Sequence, residues 1–212
     1  MAGTSIYSVY RRTARAAAKQ QVVKKTSNID VERARVDFAY FCDVVGDKPP
    51  ASHHKQWHKY LCTGESSECL AGIAGPNIDI LAPRGSAKST VLGLFTAWSI
   101  GVHALKRMPL KILYISYTVD VARPKSAAIK RIIEESKTYK EVFPTVKIAK
   151  GINSNEYWSI DWKFAGIKST GEEEFTVCCA GLKGAVTSKR SHLCIIDDAI
   201  KSADDIKNRD IR

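Results

Sequence analysis

Two short segments of this sequence combine side chains that could act together on a phosphate group. The first, residues 83–90, ends in Lys88, Ser89 and Thr90. In the phosphate loop G-x-x-x-x-G-K-[ST], the lysine reaches the β- and γ-phosphates of a nucleoside triphosphate and the next hydroxyl binds Mg²⁺. Lys88 and Ser89 occupy those two positions, so the segment predicts a phosphate-binding loop.

The second segment is a pair of carboxylates behind an apolar run. Asp197 and Asp198 follow residues 193–196, which read Leu-Cys-Ile-Ile. Nucleotide hydrolysis in such a fold needs a carboxylate at the end of a buried strand, where it orients Mg²⁺ and its waters. We therefore predict that Asp197 meets the metal and that Asp198 polarises the attacking water. The structural alternative is that both acids cap a strand and face solvent.

The loop departs from the standard pattern at both glycines. Ala82 and Ala87 stand where glycine is expected, and Gly85 is the one glycine inside the loop. If Ala87 takes a left-handed backbone conformation, the cost is about 1–2 kcal/mol, which the rest of the loop must offset. The pattern by itself is therefore a weak match, and the carboxylate pair strengthens it.

The elements that must position these residues follow from the apolar pattern. The helix that starts at Lys88 is apolar on nearly every side through Ile100, as expected of a helix wedged against a sheet. Residues 110–117 form a nearly continuous apolar and β-branched run, which is typical of a buried parallel strand. The same patterns predict strands at 78–82, 158–164, 174–180 and 193–196, and helices from near Ser27 to Val45, at 52–61 and at 122–136.

Charge and composition restrict the class of partner. The 212 residues, 44% of them apolar, fit one globular domain, and 33 basic against 22 acidic residues give a net charge of +11. No acidic residue precedes Asp30, whereas this arm carries Arg11, Arg12, Arg15, Lys19, Lys24 and Lys25. Nucleic acid is the simplest partner, and a solvated basic tail is the alternative. No segment is apolar enough for a membrane span or a signal core, so we expect no membrane partner.

The cysteines and histidines raise one further possibility. His54 and His58 stand four residues apart, and Cys62 and Cys69 follow as conceivable zinc ligands. No C-x-x-C pair accompanies them, so surface histidines are the favoured interpretation. Among the other cysteines, Cys178, Cys179 and Cys194 lie in apolar runs and are predicted to be small buried residues.

Three blocks of the sequence, taken in order, resemble the ATPase domain of the large terminase subunit of tailed bacteriophages. They are Pro83–Thr90 (PRGSAKST), Ile112–Tyr117 (ILYISY), and the region 181–201 with GLKGAVT and IIDDAIK. The first is similar to the deviant Walker A loop of that family, in which an arginine is common and alanine often precedes the lysine. The resemblance covers about residues 52–201.

The resemblance implies a fold and a domain organisation. It implies an α/β P-loop NTPase of the additional-strand type, with a mostly parallel sheet flanked by helices and an N-terminal helical arm. We expect a basic arm and helix at 1–50 and the ATPase domain at 51–212, incomplete at its C-terminus. A complete large terminase continues into a nuclease domain, and we expect no nuclease activity here because Asp204, Asp205 and Asp210 lie on a polar tail.

The resemblance also implies a role for each matching residue. Lys88, Asp198 and Arg84 would be catalytic, although many family members have glutamate at the position of Asp198. Ser89 and Asp197 would bind Mg²⁺. The implied ATP-binding residues are Pro83, Arg84, Gly85, Ser86, Ala87, Lys88, Ser89, Thr90 and Gln56. Gln56 resembles the adenine-reading glutamine in position, and a surface glutamine is the alternative.

The function implied is ATP hydrolysis that moves double-stranded DNA into a procapsid. The implied partners are DNA, the portal ring, the small terminase subunit and further copies of the chain, in the host cytoplasm and transiently at the procapsid. Two other functions stay open: a helicase-like ATPase dependent on nucleic acid, and a DNA-binding assembly adaptor that does not hydrolyse ATP. Lys189 and Arg190 either contact phosphate or DNA, or are solvated.

Overall fold

The computed structural model describes residues 29–46, 49–61, 78–168, 175–182 and 190–200. The chain divides into two units, Met1–Val31 and Glu32–Arg212, and nearly all the described residues belong to the second. Several predictions concern residues outside the described ranges: the basic arm, Ser27, Cys62, Cys69, Lys189 and the acidic tail after Lys201.

The described part of the chain is an α/β fold with a five-stranded mixed sheet flanked by helices. The helices are α1 (Val31–Val36), α2 (Phe38–Val45), α3 (Ser52–Leu61), α4 (Lys88–Leu105), α5 (Val119–Glu135) and α6 (Lys137–Val142). The strands are β1 (Ile112–Ser116), β2 (Ile148–Asn153), β3 (Tyr157–Ile160), β4 (Val177–Gly181) and β5 (Leu193–Ile196).

The sheet has the order β2-β3-β4-β1-β5 and is mixed: four of its five strands run in the same direction, and β3 runs against them. β1 runs parallel to β4 and β5, whereas β3 is antiparallel to both β2 and β4. Only residues 154–156 separate β2 from β3, and so short a connection joins antiparallel strands. The prediction of a buried parallel strand is confirmed at β1, whose residues are all buried.

The prediction of a strand at 78–82 is wrong. These residues have no strand structure, and Leu81 is 96% exposed. A short apolar run becomes a strand only when a neighbouring strand satisfies its backbone N–H and C=O groups. Among the described residues, β5 pairs only with β1, and residues 78–82 have no ladder partner.

The predicted first helix is divided at Asp37 into α1 and α2. Asp37 has an extended backbone, and its carboxylate accepts a hydrogen bond of 3.0 Å from the backbone N–H of Tyr40. This N-cap satisfies one of the free N–H groups at the start of α2. The predicted apolar stripe is confirmed in its buried members Ala34, Phe38, Phe41 and Cys42.

The core lies mainly between one face of the sheet and the helices. Ile112 and Tyr114 of β1 pack on this face with α4 and α5, whereas Leu113 and Ile115 belong to a smaller apolar cluster on the opposite face. This alternation is the period of two that a strand imposes on its side chains. Cys178 and Cys179 are buried as predicted; Cys194 is exposed and lies on β5, which is an edge strand of the sheet that the described residues form.

Helix α4 is held at two buried points. The indole N–H of Trp98 donates to the Ala34 carbonyl at 3.1 Å, and the Tyr139 hydroxyl donates to the Ala97 carbonyl at 2.8 Å. Buried hydrogen bonds of this kind are costly to break, because each leaves a polar group unsatisfied. They fix the axis of α4 and with it the position of Lys88 and Ser89 in its first turn.

Candidate functional site

The loop before α4 contains two residues with a left-handed backbone. One of them is Ala87, where the conformation is costly because the residue is alanine instead of glycine. Ala87, the N-cap of α4, has φ 59° and ψ 24°, and Gly85 has φ 83°. No side chain caps the helix through Ala87, so the first backbone N–H groups of α4 are not satisfied by an N-cap side chain. These N–H groups and the positive end of the helix dipole favour an anion at this position.

Lys88 projects from this helix start toward the two carboxylates after β5. Its Nζ atom lies 3.1 Å from Oδ1 of Asp198 and 4.0 Å from Oδ1 of Asp197. Lys88 and Asp198 are 110 positions apart in the sequence. The fold therefore brings together the lysine and both aspartates that the sequence singled out.

Asp197 is the buried centre of the site, with 1% of its surface exposed. Its Oδ2 atom accepts hydrogen bonds from the Tyr114 hydroxyl at 3.0 Å and from Lys125 Nζ at 2.7 Å. The Ser116 hydroxyl donates to its backbone carbonyl at 2.7 Å. Oδ1 is buried 4.0 Å from Lys88 Nζ and accepts no hydrogen bond from the described residues, so one oxygen of a charged carboxylate is left for another ligand.

The charged form of the Asp197 carboxylate is favoured although the side chain is buried. Burial raises the pKa of this carboxyl, but hydrogen bonds from Lys125, Ser89 and Tyr114 and the charge of Lys125 outweigh it. The net result is a pKa below the ordinary value for aspartate. Asp197 is therefore ionised at neutral pH.

Asp198 has a strained backbone beside this buried carboxylate. Its φ is 52°, in the left-handed region that non-glycine residues rarely adopt. The side chain is 59% exposed, with its two oxygens 3.1 Å from Lys88 and 3.6 Å from Lys125. Strain of this kind occurs where the surroundings over-determine a conformation, often at functional sites.

Helix α3 is attached to the loop by a histidine. The Nδ1 atom of His54 accepts a hydrogen bond of 3.1 Å from the Ala51 N–H, which leaves Nε2 as the protonated nitrogen. Nε2 then donates to the Ser86 carbonyl at 2.8 Å. His54 thus positions the loop from outside. His58, predicted to be at the surface, is instead buried against Phe38, because α3 packs on α2.

The remaining predicted residues lie in the loop, in the first turn of α4 and on α3, and most of them are exposed. Ser86 is partly buried in the loop, next to Ala87. Arg84 forms no ion pair with any described residue. The exposed members of the predicted ATP-binding set are Pro83, Arg84, Gly85, Ala87, Thr90 and, on α3, Gln56. Arg190 is also exposed, just before β5.

The residues present fit a magnesium ion better than zinc. Within the described ranges, no group of three or more His, Cys, Asp or Glu side chains is arranged to hold a metal. Mg²⁺ differs from zinc in that it takes oxygen ligands and keeps several waters, so one or two carboxylates suffice with substrate phosphates. Oδ1 of Asp197, which is buried and accepts no hydrogen bond from the described residues, and the hydroxyl of Ser89, the residue after Lys88, are ligands of that type.

Tyr114, Ser116 and Lys125 were not found by sequence reasoning. Tyr114 and Ser116 carry hydroxyls inside the otherwise aliphatic strand β1, and that combination was the available signal for buried polar contacts. Lys125 gave none, because a lysine in an amphipathic helix is usually solvated. Its contact with Asp197 depends on how α5 crosses the sheet.

Comparison with family models, with curated proteins and with solved structures found no match for this chain. No described helix combines the length and the apolar character needed to cross a bilayer.

Proposed function

We propose that this chain is the ATP-hydrolysing P-loop domain of a viral DNA-packaging motor. The observation that carries the proposal is the convergence of Lys88 on Asp197 and Asp198, at 4.0 Å and 3.1 Å, from the start of α4 and the end of β5. A phosphate-binding lysine beside a buried metal-binding carboxylate is the arrangement that phosphoryl transfer requires. The left-handed Ala87 further supports a loop curved for phosphate despite its missing glycine.

The proposed mechanism uses positioning and charge rather than a covalent intermediate. The backbone N–H groups at the start of α4 and Lys88 bind the β- and γ-phosphates of ATP, and Arg84 contacts the γ-phosphate from the exposed side of the loop. Ser89 and Asp197 would hold Mg²⁺, which when bound neutralises charge on the phosphate oxygens. Asp198 orients the attacking water and accepts its proton.

Binding of ATP must rearrange the ion pairs around Asp198. Without ATP, Lys88 is paired with this carboxylate at 3.1 Å. When phosphates take over Lys88, the Asp198 side chain becomes available for water, and it is already 59% exposed. The same exchange reverses after phosphate release, which gives the loop two arrangements that hydrolysis can couple to movement.

The packaging role rests on the resemblance and on charge. The proposal includes double-stranded DNA as the load, attracted by the basic surplus of +11. It also includes the portal ring, the small terminase subunit and further copies as partners, in the host cytoplasm and at the procapsid. His54, which holds the Ser86 carbonyl, provides a route by which α3 responds to the loop.

The test compares nucleotide binding and DNA-stimulated phosphate release in the wild type and in Lys88→Ala. We expect Lys88→Ala to lose both signals by about a hundredfold or more, because one preorganised charged contact to the transferring group is removed. The matched control is Lys163→Ala, which removes the same charge from an exposed turn after β3. Wild-type binding without hydrolysis, even with DNA, would favour the adaptor; hydrolysis stimulated equally by single-stranded nucleic acid would favour the helicase-like ATPase.

A further inference from the structure

Lys125 lies inside the site, although the phosphate-loop pattern does not include it. It belongs to α5, and its Nζ atom is 2.7 Å from Oδ2 of Asp197 and 3.6 Å from Oδ2 of Asp198. Its side chain is 18% exposed, so both ion pairs are partly shielded from water. The mechanism above assigns no step to this lysine.

Lys88 and Lys125 together balance the two carboxylates. Each lysine lies within 4.0 Å of both aspartates, one reaching them from the start of α4 and the other from α5. The four side chains therefore carry no net charge. A free divalent cation that approaches this pair meets two positive charges at short range, and in a shielded site these oppose its binding strongly.

The two carboxylate oxygens of Asp197 have different contacts. Oδ2 accepts hydrogen bonds from Lys125 and the Tyr114 hydroxyl, whereas Oδ1 accepts none from the described residues and lies 4.0 Å from Lys88 Nζ. A buried carboxylate oxygen that accepts no hydrogen bond costs free energy unless a ligand reaches it. Oδ1 is thus an available ligand that is held next to a resident positive charge.

We propose that Lys125 is the counter-cation of this carboxylate pair and prevents it from binding a divalent cation in the absence of nucleotide. The metal is then retained only when phosphates supply compensating negative charge and draw Lys125 away from Asp197. That second statement rests on the proposed function, whereas the exclusion of the free cation does not. Lys125 acts through Asp197 and is a positioning residue.

The test is a titration with Mn²⁺ alone, without nucleotide. Binding is measured in electron paramagnetic resonance as the loss of the signal of free Mn²⁺. We expect Lys125→Gln to bind one Mn²⁺ about tenfold or more tightly than the wild type, because a unit charge at ion-pair distance is removed. Glutamine can still donate a hydrogen bond to Asp197, so the change isolates charge. Lys125→Met serves as a second variant, and Lys125→Arg should behave as the wild type.

Two controls locate the effect. Arg123→Gln removes a positive charge from an exposed position of the same helix, where Arg123 pairs with Asp120 and Glu156, and should leave Mn²⁺ affinity unchanged. Asp197→Asn combined with Lys125→Gln should abolish the gain. Circular dichroism confirms that each variant is folded.

The inference is overturned if neither folded variant, Lys125→Gln nor Lys125→Met, gains Mn²⁺ affinity, or if the wild type already binds Mn²⁺ as tightly as they do. A separate titration with ATP distinguishes this result from failure of the proposed function. A gain in Mn²⁺ affinity without any ATP binding would retain the role of Lys125 and reject the ATPase.

Discussion

Two residues with left-handed backbones lie next to the central ion pairs of the site. Ala87 precedes Lys88, and Asp198 follows the buried Asp197. Each conformation costs about 1–2 kcal/mol in a non-glycine residue, so neighbouring contacts must offset it. For Asp198 these contacts are visible as ion pairs to Lys88 and Lys125. The strain and the charge pairing are therefore parts of one arrangement.

His58 gives a prediction at the scale of a single side chain. It is 4% exposed, and neither ring nitrogen forms a hydrogen bond with any of the described residues. Burial, with a smaller contribution from His54, lowers the pKa of His58 from 6.5 to about 4. Because the unfolded chain binds a proton at this residue more readily than the folded chain, stability decreases as pH falls from about 6.5 to about 4.

The variant His58→Leu should remove this pH dependence. Leucine has similar volume and no polar atom to leave unsatisfied, so we expect equal or higher stability at pH 7 and a smaller loss toward pH 4. The difference between pH 7 and pH 4 is at most about 3 kcal/mol. Urea denaturation at each pH measures it. The control His53→Leu removes an exposed histidine of the same helix, and an unchanged slope in His58→Leu would reject the assignment.

At the scale of elements, α4 packs against Phe143 through a glycine. A Cβ atom at Gly101 would lie 2.4 Å from the ring of Phe143, which is fully buried. The ring cannot move into solvent, so the helix can approach residue 143 only where it has no side chain. This contact helps to set the position of α4 and therefore of its first turn at Lys88.

Substitution of the two glycines of α4 by alanine should change stability in opposite directions. Gly101→Ala should destabilise the fold by about 1–3 kcal/mol, because it overpacks a buried contact. Gly93→Ala should stabilise it by about 0.5–1 kcal/mol, since the added Cβ would lie 3.7 Å from Ile129 and alanine favours helix. Urea denaturation of both variants checks the pair. Equal effects at the two positions would contradict the packing argument.

The elements that sequence reasoning found are those defined by long apolar patterns. Helix α3 matches its predicted bounds at 52–61, and α4 and β1 are close to theirs. The secondary-structure predictions that were wrong or missing concern segments that become strands only when a distant strand pairs with them. Residues 78–82 have an apolar run but no ladder partner, and β2 was missed because it is the half-exposed edge of a hairpin with β3. Strand pairing is non-local, so the local pattern could not decide it.

The residues of the candidate site also divide into those that the sequence predicts and those that it does not. Lys88, Ser89, Asp197 and Asp198 could be chosen from residue type and order, because a helix start and a strand end determine where they point. Lys125 depends on the packing of α5 across the sheet, and no spacing in the sequence encodes that contact. The departure from glycine at position 87 raised the question of a left-handed alanine, and Ala87 does have a left-handed backbone.

For the whole molecule, charge is the property that the proposed function uses most directly. The surplus of +11 is uneven, because the N-terminal arm holds six basic residues and no acidic residue before Asp30. The site itself is balanced, since two lysines pair with two aspartates. Long-range attraction of a polyanion therefore depends on residues outside the site, and the arm is the largest uninterrupted source of positive charge in the sequence.

This separation predicts how binding of double-stranded DNA responds to salt. Each neutralised phosphate contributes about −0.9 to the slope of log affinity against log salt concentration, so six contacts from the arm contribute about −5. Replacing Arg11, Arg12, Arg15, Lys19, Lys24 and Lys25 by glutamine should reduce the slope by up to that amount. Exchanging arginine and lysine at the same six positions is the charge-preserving control and should keep the slope. Fluorescence anisotropy with a DNA duplex over a range of salt concentrations measures both variants. An unchanged slope in the glutamine variant would mean that the arm is a solvated tail and that any attraction of DNA comes from the rest of the chain.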